Sequence, residues 1–281
     1  MDLRKDQLKF FADYIERELG IIYTDSNYFQ LQHRLEDITE QIGLHSTEEL
    51  WAKASQGING PLKDLLLDLA TNNETSFFRD QAVFMGLQNY LIPDLFKNKP
   101  QLKELQIWSA ACSSGQETYS IAMSVESARQ HNPSLPDYRI VGTDFSRRMI
   151  EKSKGRSYSQ LETQRGLTDD LLSRFFTESK ETKNWTLNST IPSDKFRFEQ
   201  LNLLSRWSFK TVFQIIFCRN VLIYQNIENK ISIINKIIPF LDTGGYLVLG
   251  AAESLLGISN DFEQISHGNA VFYKKNTKTK D

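Results

Sequence analysis

Five short stretches carry residues able to do chemistry. In IWSAACSSGQETYS, Ile107 to Ser120, an apolar run passes through small residues into a helical pattern. Small side chains let a ligand approach the backbone, and a helix N-terminus offers it free N–H groups. A pyrophosphate would call for G-x-G-x-x-G, whereas here Gly115 stands alone, which favours a smaller, less anionic ligand. Taken alone, the loop is read equally well as a plain strand-to-helix turn. Asp144 closes RIVGTD. A carboxylate there can accept both hydroxyls of a ribose, or cap a helix starting near Ser146. Asn202 in FEQLNLL is placed for an adenine edge. Arg219, Asn220 and Tyr224 lie in IIFCRNVLIY, where an apolar run surfaces into polarity. Their plainer readings are a satisfied surface charge, a turn former and a packed ring. In NETSFFRD, Asn73 to Asp80, Phe77 and Phe78 are expected as anchors between two parts of the chain. Arg79 beside them can hold a carboxylate in a bidentate fork.

The elements that must position these residues fall into two textures. Residues 3 to about 97 read as helices. Leu8, Phe11, Ile15 and Leu19 recur at helical spacing, with Gly20 as a stop. A second helix is expected over Ser26–Ile42, and Ser46 with Glu49 has capping-box spacing before a third. The run PLKDLLLDLA precedes the polar break TNNETS. Beyond it, strands are expected at Glu104–Ala110, Tyr138–Asp144, Phe196–Asn202, Phe213–Asn220 and Gly245–Gly250. Helices are expected at Glu117–Arg129, Arg147–Lys154 and Ile227–Leu241. A hairpin of Phe262–Ser266 and Ala270–Lys274 turns at HGN. This alternation predicts an α/β, mostly parallel, doubly wound sheet. With its terminal antiparallel hairpin it has the pattern of the class I methyltransferase fold. The expected units are residues 1–80, all helical, and 81–281. Residues 156 to about 195 break the alternation and read as an inserted β wing, with a short hairpin around Trp185–Thr190.

Bulk properties narrow the classes. The 281 residues carry a net charge of -2, which gives no general attraction to phosphate backbones, so nucleic acid is not expected as a partner. Two cysteines, Cys112 and Cys218, make no disulfide framework, and four scattered histidines show no zinc spacing, so no metal is expected. The charged start MDLRKDQLKF and the lack of a long apolar run predict a cytoplasmic protein without membrane insertion.

The motifs NETSFFRD, IWSAACSSGQETYSIAM, IVGTDFS, LNLL, IIFCRNVLIY and LVLGAAESL follow one another across residues 73–254. Together they resemble the CheR family, the glutamate methyltransferases of chemotaxis receptors. The resemblance implies a Rossmann-like, class I S-adenosylmethionine-dependent methyltransferase preceded by a helical domain. It implies S-adenosylmethionine as methyl donor and S-adenosylhomocysteine as product. It assigns cofactor contacts to Asn73, Thr75, Arg79, Ala110, Glu117, Asp144, Asn202, Leu203, Arg219 and Asn220. Arg79 and Tyr224 match positions near the transferred methyl. Against the commoner Asp-x-Gly-x-Gly-x-Gly loop, Ser109, Ala111 and Ser113 replace the Asp and two glycines, and Gly115 is kept.

The implied partner is the cytoplasmic region of methyl-accepting chemotaxis receptors, met by a monomer. The chain departs from the family at Gln116 and Thr118, where Glu and Pro are frequent. In related proteins an arginine-rich second helix is thought to meet the acidic receptor. Here that helix keeps Arg34 but carries Glu36, Asp37 and Glu40. A different methyl acceptor, or a signalling module that binds S-adenosylmethionine without turnover, are the alternative readings.

Overall fold

The computed structural model describes residues 3–71 and 73–277. Helices α1 (Lys5–Leu19), α2 (Tyr28–Gln41), α3 (Thr47–Ser55) and α4 (Gly60–Ala70) share one apolar core that runs from Leu3 to Ala70. The expected stripe of α1 is buried, and Gly20 ends the helix in the left-handed region at φ 70°. Ser46 caps α3 by accepting the Glu49 N–H. Arg34 on α2 turns inward. Its guanidinium donates to the Tyr23 hydroxyl at 2.7 Å and to the Ala70 carbonyl at the end of α4.

A second helical stretch, α5 (Gln81–Gly86), a π turn at Leu87–Leu91 and α6 (Ile92–Asn98), lies on the sheet. Gly86 is required there, because a Cβ would sit 2.4 Å from the Phe272 ring. The remaining elements follow in chain order as β1 (Glu104–Ala110), α7 (Gln116–His131), β2 (Asp137–Asp144), α8 (Arg147–Gly155), β3 (Ser157–Tyr158), α9 (Gln160–Gln164), α10 (Asp169–Phe175), β4 (Phe176–Glu178), β5 (Trp185–Leu187), β6 (Phe196–Gln200), β7 (Phe213–Cys218), α11 (Ile227–Ile237), β8 (Leu241–Leu249), β9 (Phe262–His267) and β10 (Ala270–Lys275).

The main sheet has the order β6-β2-β1-β7-β8-β10-β9. Strands β6, β2, β1, β7 and β8 run parallel, and β10 pairs antiparallel with both β8 and β9. One face packs on α5 to α7 through Ile107, Tyr119 and Ile140, and the other on α11 through Trp108, Ile216 and Ile234. The β1 strand has the expected bounds. The strands β6 and β7 stop two residues early, for local reasons. Asn202 opens a turn by accepting the Leu204 N–H on its side chain. Asn220 takes φ 58°, which no strand accommodates. Helix α11 ends at Ile237, where a short 3-10 turn carrying Pro239 leads into β8. That strand begins at Leu241, ahead of the expected Gly245.

The inserted segment forms a separate antiparallel sheet of order β3-β5-β4. Its hairpin joins Phe176–Glu178 to Trp185–Leu187, which corrects the expected turn at Trp185–Thr190. Residues after Leu187 turn back instead, with the Asn188 side chain donating to the Arg174 carbonyl. Phe77 pins this wing to the stretch before α5. It is buried, with edge contacts to Tyr158 at 5.0 Å and Phe176 at 5.6 Å. Phe78 meets Phe84 at 5.1 Å. Among the described residues no helix is long and apolar enough to cross a membrane.

Gly166 passes over this contact at φ 107°, and a Cβ there would fall 1.8 Å from the Phe77 carbonyl oxygen. Backbone cannot swing aside as a side chain can. Gly166→Ala is therefore expected to cost more than about 2 kcal/mol in urea unfolding. A midpoint equal to that of the unaltered protein would contradict this packing.

Candidate functional site

The strand order reverses between β1 and β7, which opens a crevice beyond their carboxyl ends. The loop after β1 enters it under tight control. Ala111, Ser113 and Gly115 have φ of 58°, 48° and 91°, so alternate residues are left-handed. These are the three positions at which the commoner loop carries glycine. The Ser113 N–H donates to Asp144 Oδ2 at 2.8 Å, and its hydroxyl to the Asn73 carbonyl at 2.9 Å. From behind, the Ser153 hydroxyl donates to the Ser113 carbonyl and the Tyr158 hydroxyl to the Ser114 carbonyl. The loop is thus a shaped cradle, held from behind by Ser153 and Tyr158 and on the crevice side by Asp144 and Asn73.

Asp144 does not cap α8. Ser146 does, accepting the Met149 N–H on its hydroxyl. Asp144 Oδ1 instead accepts the Ser146 N–H at 2.8 Å. Each carboxylate oxygen therefore takes one backbone donor and keeps lone-pair capacity for another. Burial pushes this carboxyl up to about 6, against the lowering effect of those N–H groups, and the Asp68 carboxylate adds to the rise. Asp68 itself bridges α4 to α8, accepting from the Ser146 hydroxyl and from Arg148 Nε at 2.6 Å.

Arg219 is no surface charge, since its side chain is 1% exposed. Its Nη1 donates to Glu117 Oε2 at 3.0 Å, and its Nη2 to Asp80 Oδ2 at 2.6 Å and to the Arg79 carbonyl at 2.8 Å. Glu117 Oε1 also accepts from the Ser109 hydroxyl at 2.8 Å. Arg219 Nε is buried and has no protein acceptor. Asn220 is indeed a turn former and also faces the crevice, as does the part-exposed Tyr224. The exposed Arg79 reaches the Glu74 carbonyl at 3.3 Å and lines the same crevice.

Asn73, Thr75, Arg79, Glu117, Asp144, Asn202, Leu203, Arg219, Asn220 and Tyr224 all line one crevice. Ala110 does not. It is wholly buried as the last residue of β1, and Ala111 takes the lining position. The Asn202 amide also differs from expectation. It donates to the Glu18 carbonyl at 2.8 Å, so that side chain serves the helical unit, whatever the loop around it presents to a base. Sequence reasoning missed Leu19, Ile21 and Phe145, which close the crevice from the helical side. It also missed Asp80. The only signal for Asp80 was its place at the end of NETSFFRD.

Comparison with known proteins now fixes the lineage. The family described as CheR methyltransferase, SAM binding domain, matches residues 73–271. The chain belongs to the CheR methyltransferase family. It is 36% identical over 265 residues to a chemotaxis protein methyltransferase of Vibrio parahaemolyticus, spanning 94% of each chain. Chemotaxis protein methyltransferase 1 of Pseudomonas aeruginosa is 34% identical over 276 residues, or 98% of this chain and 99% of that one. A crystal structure of a TehB-like SAM-dependent methyltransferase from Corynebacterium glutamicum aligns at TM-score 0.38 and 15% identity. It covers 68% of this chain and 89% of that one, and at that distance adds nothing to the assignment. Most of the crevice lining falls within the residues matched by that SAM-binding domain.

The strained cradle makes a direct test. A left-handed alanine costs about 1–2 kcal/mol relative to an unstrained one. The flexibility of glycine returns about 0.5–1 kcal/mol of that. Ala111→Gly is therefore expected to stabilise the protein by up to about 1 kcal/mol in denaturant unfolding. A loss of stability would show that the Ala111 methyl packs more than it strains.

Proposed function

We propose that the chain transfers the methyl group of S-adenosylmethionine to glutamate side-chain carboxylates in the cytoplasmic region of methyl-accepting chemotaxis receptors. In this reading residues 1–80 are a helical N-terminal domain and 81–281 the methyltransferase domain, acting as a cytoplasmic monomer. The observation that carries it is the convergence of ten expected site residues on one crevice, with Arg79 and Tyr224 at its more exposed side.

The residues present fit such a ligand. Asp144 has lone pairs left for a ribose diol once Ser113 and Ser146 are served. Glu117 suits an ammonium group, and Arg79 and the unmatched Nε of Arg219 suit a carboxylate. Bound S-adenosylmethionine would supply an electrophilic methyl on a positively charged sulfur. The acceptor glutamate, with an ordinary pKa of about 4.3, is already a carboxylate near neutrality. No general base is then needed, and the chain must position the acceptor and exclude water. Arg79 can orient the carboxylate, while clamping both oxygens would stabilise the ground state, because the acceptor loses charge as the bond forms. Arg79 therefore positions rather than activates. Strand β4 pairs with β5 alone among the described strands, and its other edge suits an added receptor strand.

The deciding experiment gives labelled S-adenosylmethionine and purified receptor cytoplasmic fragments to the protein, then treats the product with mild base. Label released as methanol is the expected result. Arg79→Ala is expected to lower turnover more than cofactor affinity. Cofactor binding without receptor labelling would overturn the reading, and unchanged turnover in Arg79→Ala would overturn that role.

Asp144 predicts a pH dependence. Its ionised form is the ribose acceptor, and burial holds the carboxyl at about 6 in the free protein. Cofactor affinity should be full above about 6 and fall below it, approaching tenfold per pH unit. For the stability of the free protein the sign is opposite. The raised value contributes stability below the ordinary 3.8, and that stability is lost as pH rises through about 6. Calorimetric titration across this range checks the first sign. Asp144→Asn should bind more weakly and show a flat profile, whereas a flat profile in the unaltered protein would remove Asp144 from the ribose site.

A further inference from the structure

The motif LVLGAAESL contains a carboxylate that the site described so far does not use. Glu253 follows β8, and its two oxygens accept four backbone N–H groups. Oε2 takes Gly250 at 2.7 Å and Asn220 at 2.9 Å. Oε1 takes Val221 at 3.0 Å and Ile223 at 3.2 Å. Three of the four donors belong to the loop that leaves β7. That loop has passed beyond its ladder partners, so its N–H groups have no strand to bond.

We infer that Glu253 is a positioning residue for methyl transfer: it stands in for a missing strand and fixes the acceptor-side wall formed by Asn220, Val221 and Tyr224. This inference rests on the methyl-transfer reading above. Three further observations support it. Asn220 is held at φ 58°, a strained conformation that persists only when its surroundings determine it. Its N–H is one of the four donors to the carboxylate. Gly250 admits the approach, since a Cβ there would lie 2.8 Å from Glu253 Oε2 and 2.7 Å from the Asn220 side chain. At its far end the loop is tied separately, with Gln225 Nε2 donating to the Leu19 carbonyl at 2.9 Å. The wall is therefore stretched between Glu253 on one side and the end of α1 on the other. Between these ties lie Tyr224 and the Leu222–Tyr224 turn, with no ladder of their own.

Charge alone does not satisfy this arrangement, because both oxygens must be acceptors. Glu253→Gln keeps the shape but replaces one oxygen by an NH2 that must face an N–H pair. Glu253→Asp keeps both acceptors on a shorter arm. Methyl transfer to receptor fragments would be measured for the unaltered protein and both variants, well below their unfolding temperatures. Cofactor affinity by calorimetry and the amide resonances of Asn220, Val221, Ile223 and Gly250 would be recorded alongside.

The expected result for Glu253→Gln is a fall of about 10- to 100-fold in kcat, the scale of an ångström-sized misplacement. Cofactor affinity should fall by less than kcat does, because Asn220 alone among the expected cofactor contacts bonds Glu253 and the Asp144 side of the crevice is untouched. The four amide resonances should shift together, and Glu253→Asp should recover part of kcat. A purely structural role would lower the unfolding temperature and leave kcat unchanged, which would overturn the inference. So would a fall in kcat matched by an equal loss of cofactor affinity, or unmoved amide resonances. If the unaltered protein itself labels no receptor, the methyl-transfer reading fails and this inference fails with it. An active unaltered protein with an equally active Glu253→Gln refutes the inference alone.

Discussion

The buried guanidinium of Arg219 is the interaction on which the site depends. An isolated charge cannot be taken out of water without partners, so its burial commits two carboxylates to the same place. Asp80 comes from the segment entering the second unit, Glu117 from the first turn of α7, and Arg219 from just beyond β7. Three segments distant in sequence are thereby brought to one point at the switch of the sheet. The cluster of one cation and two anions has a formal charge of -1. That sign favours a positively charged sulfur or ammonium group nearby and disfavours a phosphate. The loop's lack of a full glycine set and the charge of its surroundings thus point to the same class of ligand.

Most of the backbone strain follows the same geography. Phe78, Asp80, Ala111, Ser113 and Asn220 are all left-handed without being glycine, and they flank or line the crevice. Four of the five are held by something specific. Ser113 bonds Asp144 and Asn73, Asp80 bonds Arg219, Asn220 bonds Glu253, and Phe78 takes the Ser120 hydroxyl on its N–H. Strain of this kind survives only in rigid surroundings, and here the buried aromatic cluster of Phe77, Tyr158 and Phe176 provides them. The wing therefore supports the loop geometry through Tyr158, besides offering an edge.

The elements were legible in the sequence where periodicity decides them. The α1 stripe, β1 and the closing hairpin lie where spacing puts them, because burial on one face leaves few alternatives. Strand ends were less legible. The stops after Gln200 and Cys218 are set by the side-chain turn of Asn202 and the left-handed Asn220, and both residues are as common inside loops as at their edges. Within the site, residue types and motif order marked Arg79, Glu117 and Asp144. Asp80 and Glu253 could not be assigned to partners from sequence, since their partners are fixed only by the fold. Ala110 falls short of the crevice lining for the reason that made β1 legible. The strand pattern gives its last residue, while the residue that lines the crevice is the first one outside the ladder.

The acidic second helix gains a structural meaning from this arrangement. Arg34, the one arginine of α2, is spent inside the helical unit on Tyr23 and on the end of α4. The acids that α2 shows outward are Glu36, Asp37 and Glu40. Screening confines such charges to about 8–10 Å, so they act on a partner only in contact. The end of α1 faces the crevice, where Leu19 and Ile21 form a wall and Asn202 and Gln225 hold the Glu18 and Leu19 carbonyls. The helical unit thus has two separable faces, one closing the crevice and one carrying the exposed acids of α2. The first is fixed by buried hydrogen bonds and tolerates little change. The second is set by exposed residues, of which Glu36 pairs, among the described residues, only with Gln32 and His33 of the same helix, so the charge of α2 can vary without disturbing the crevice.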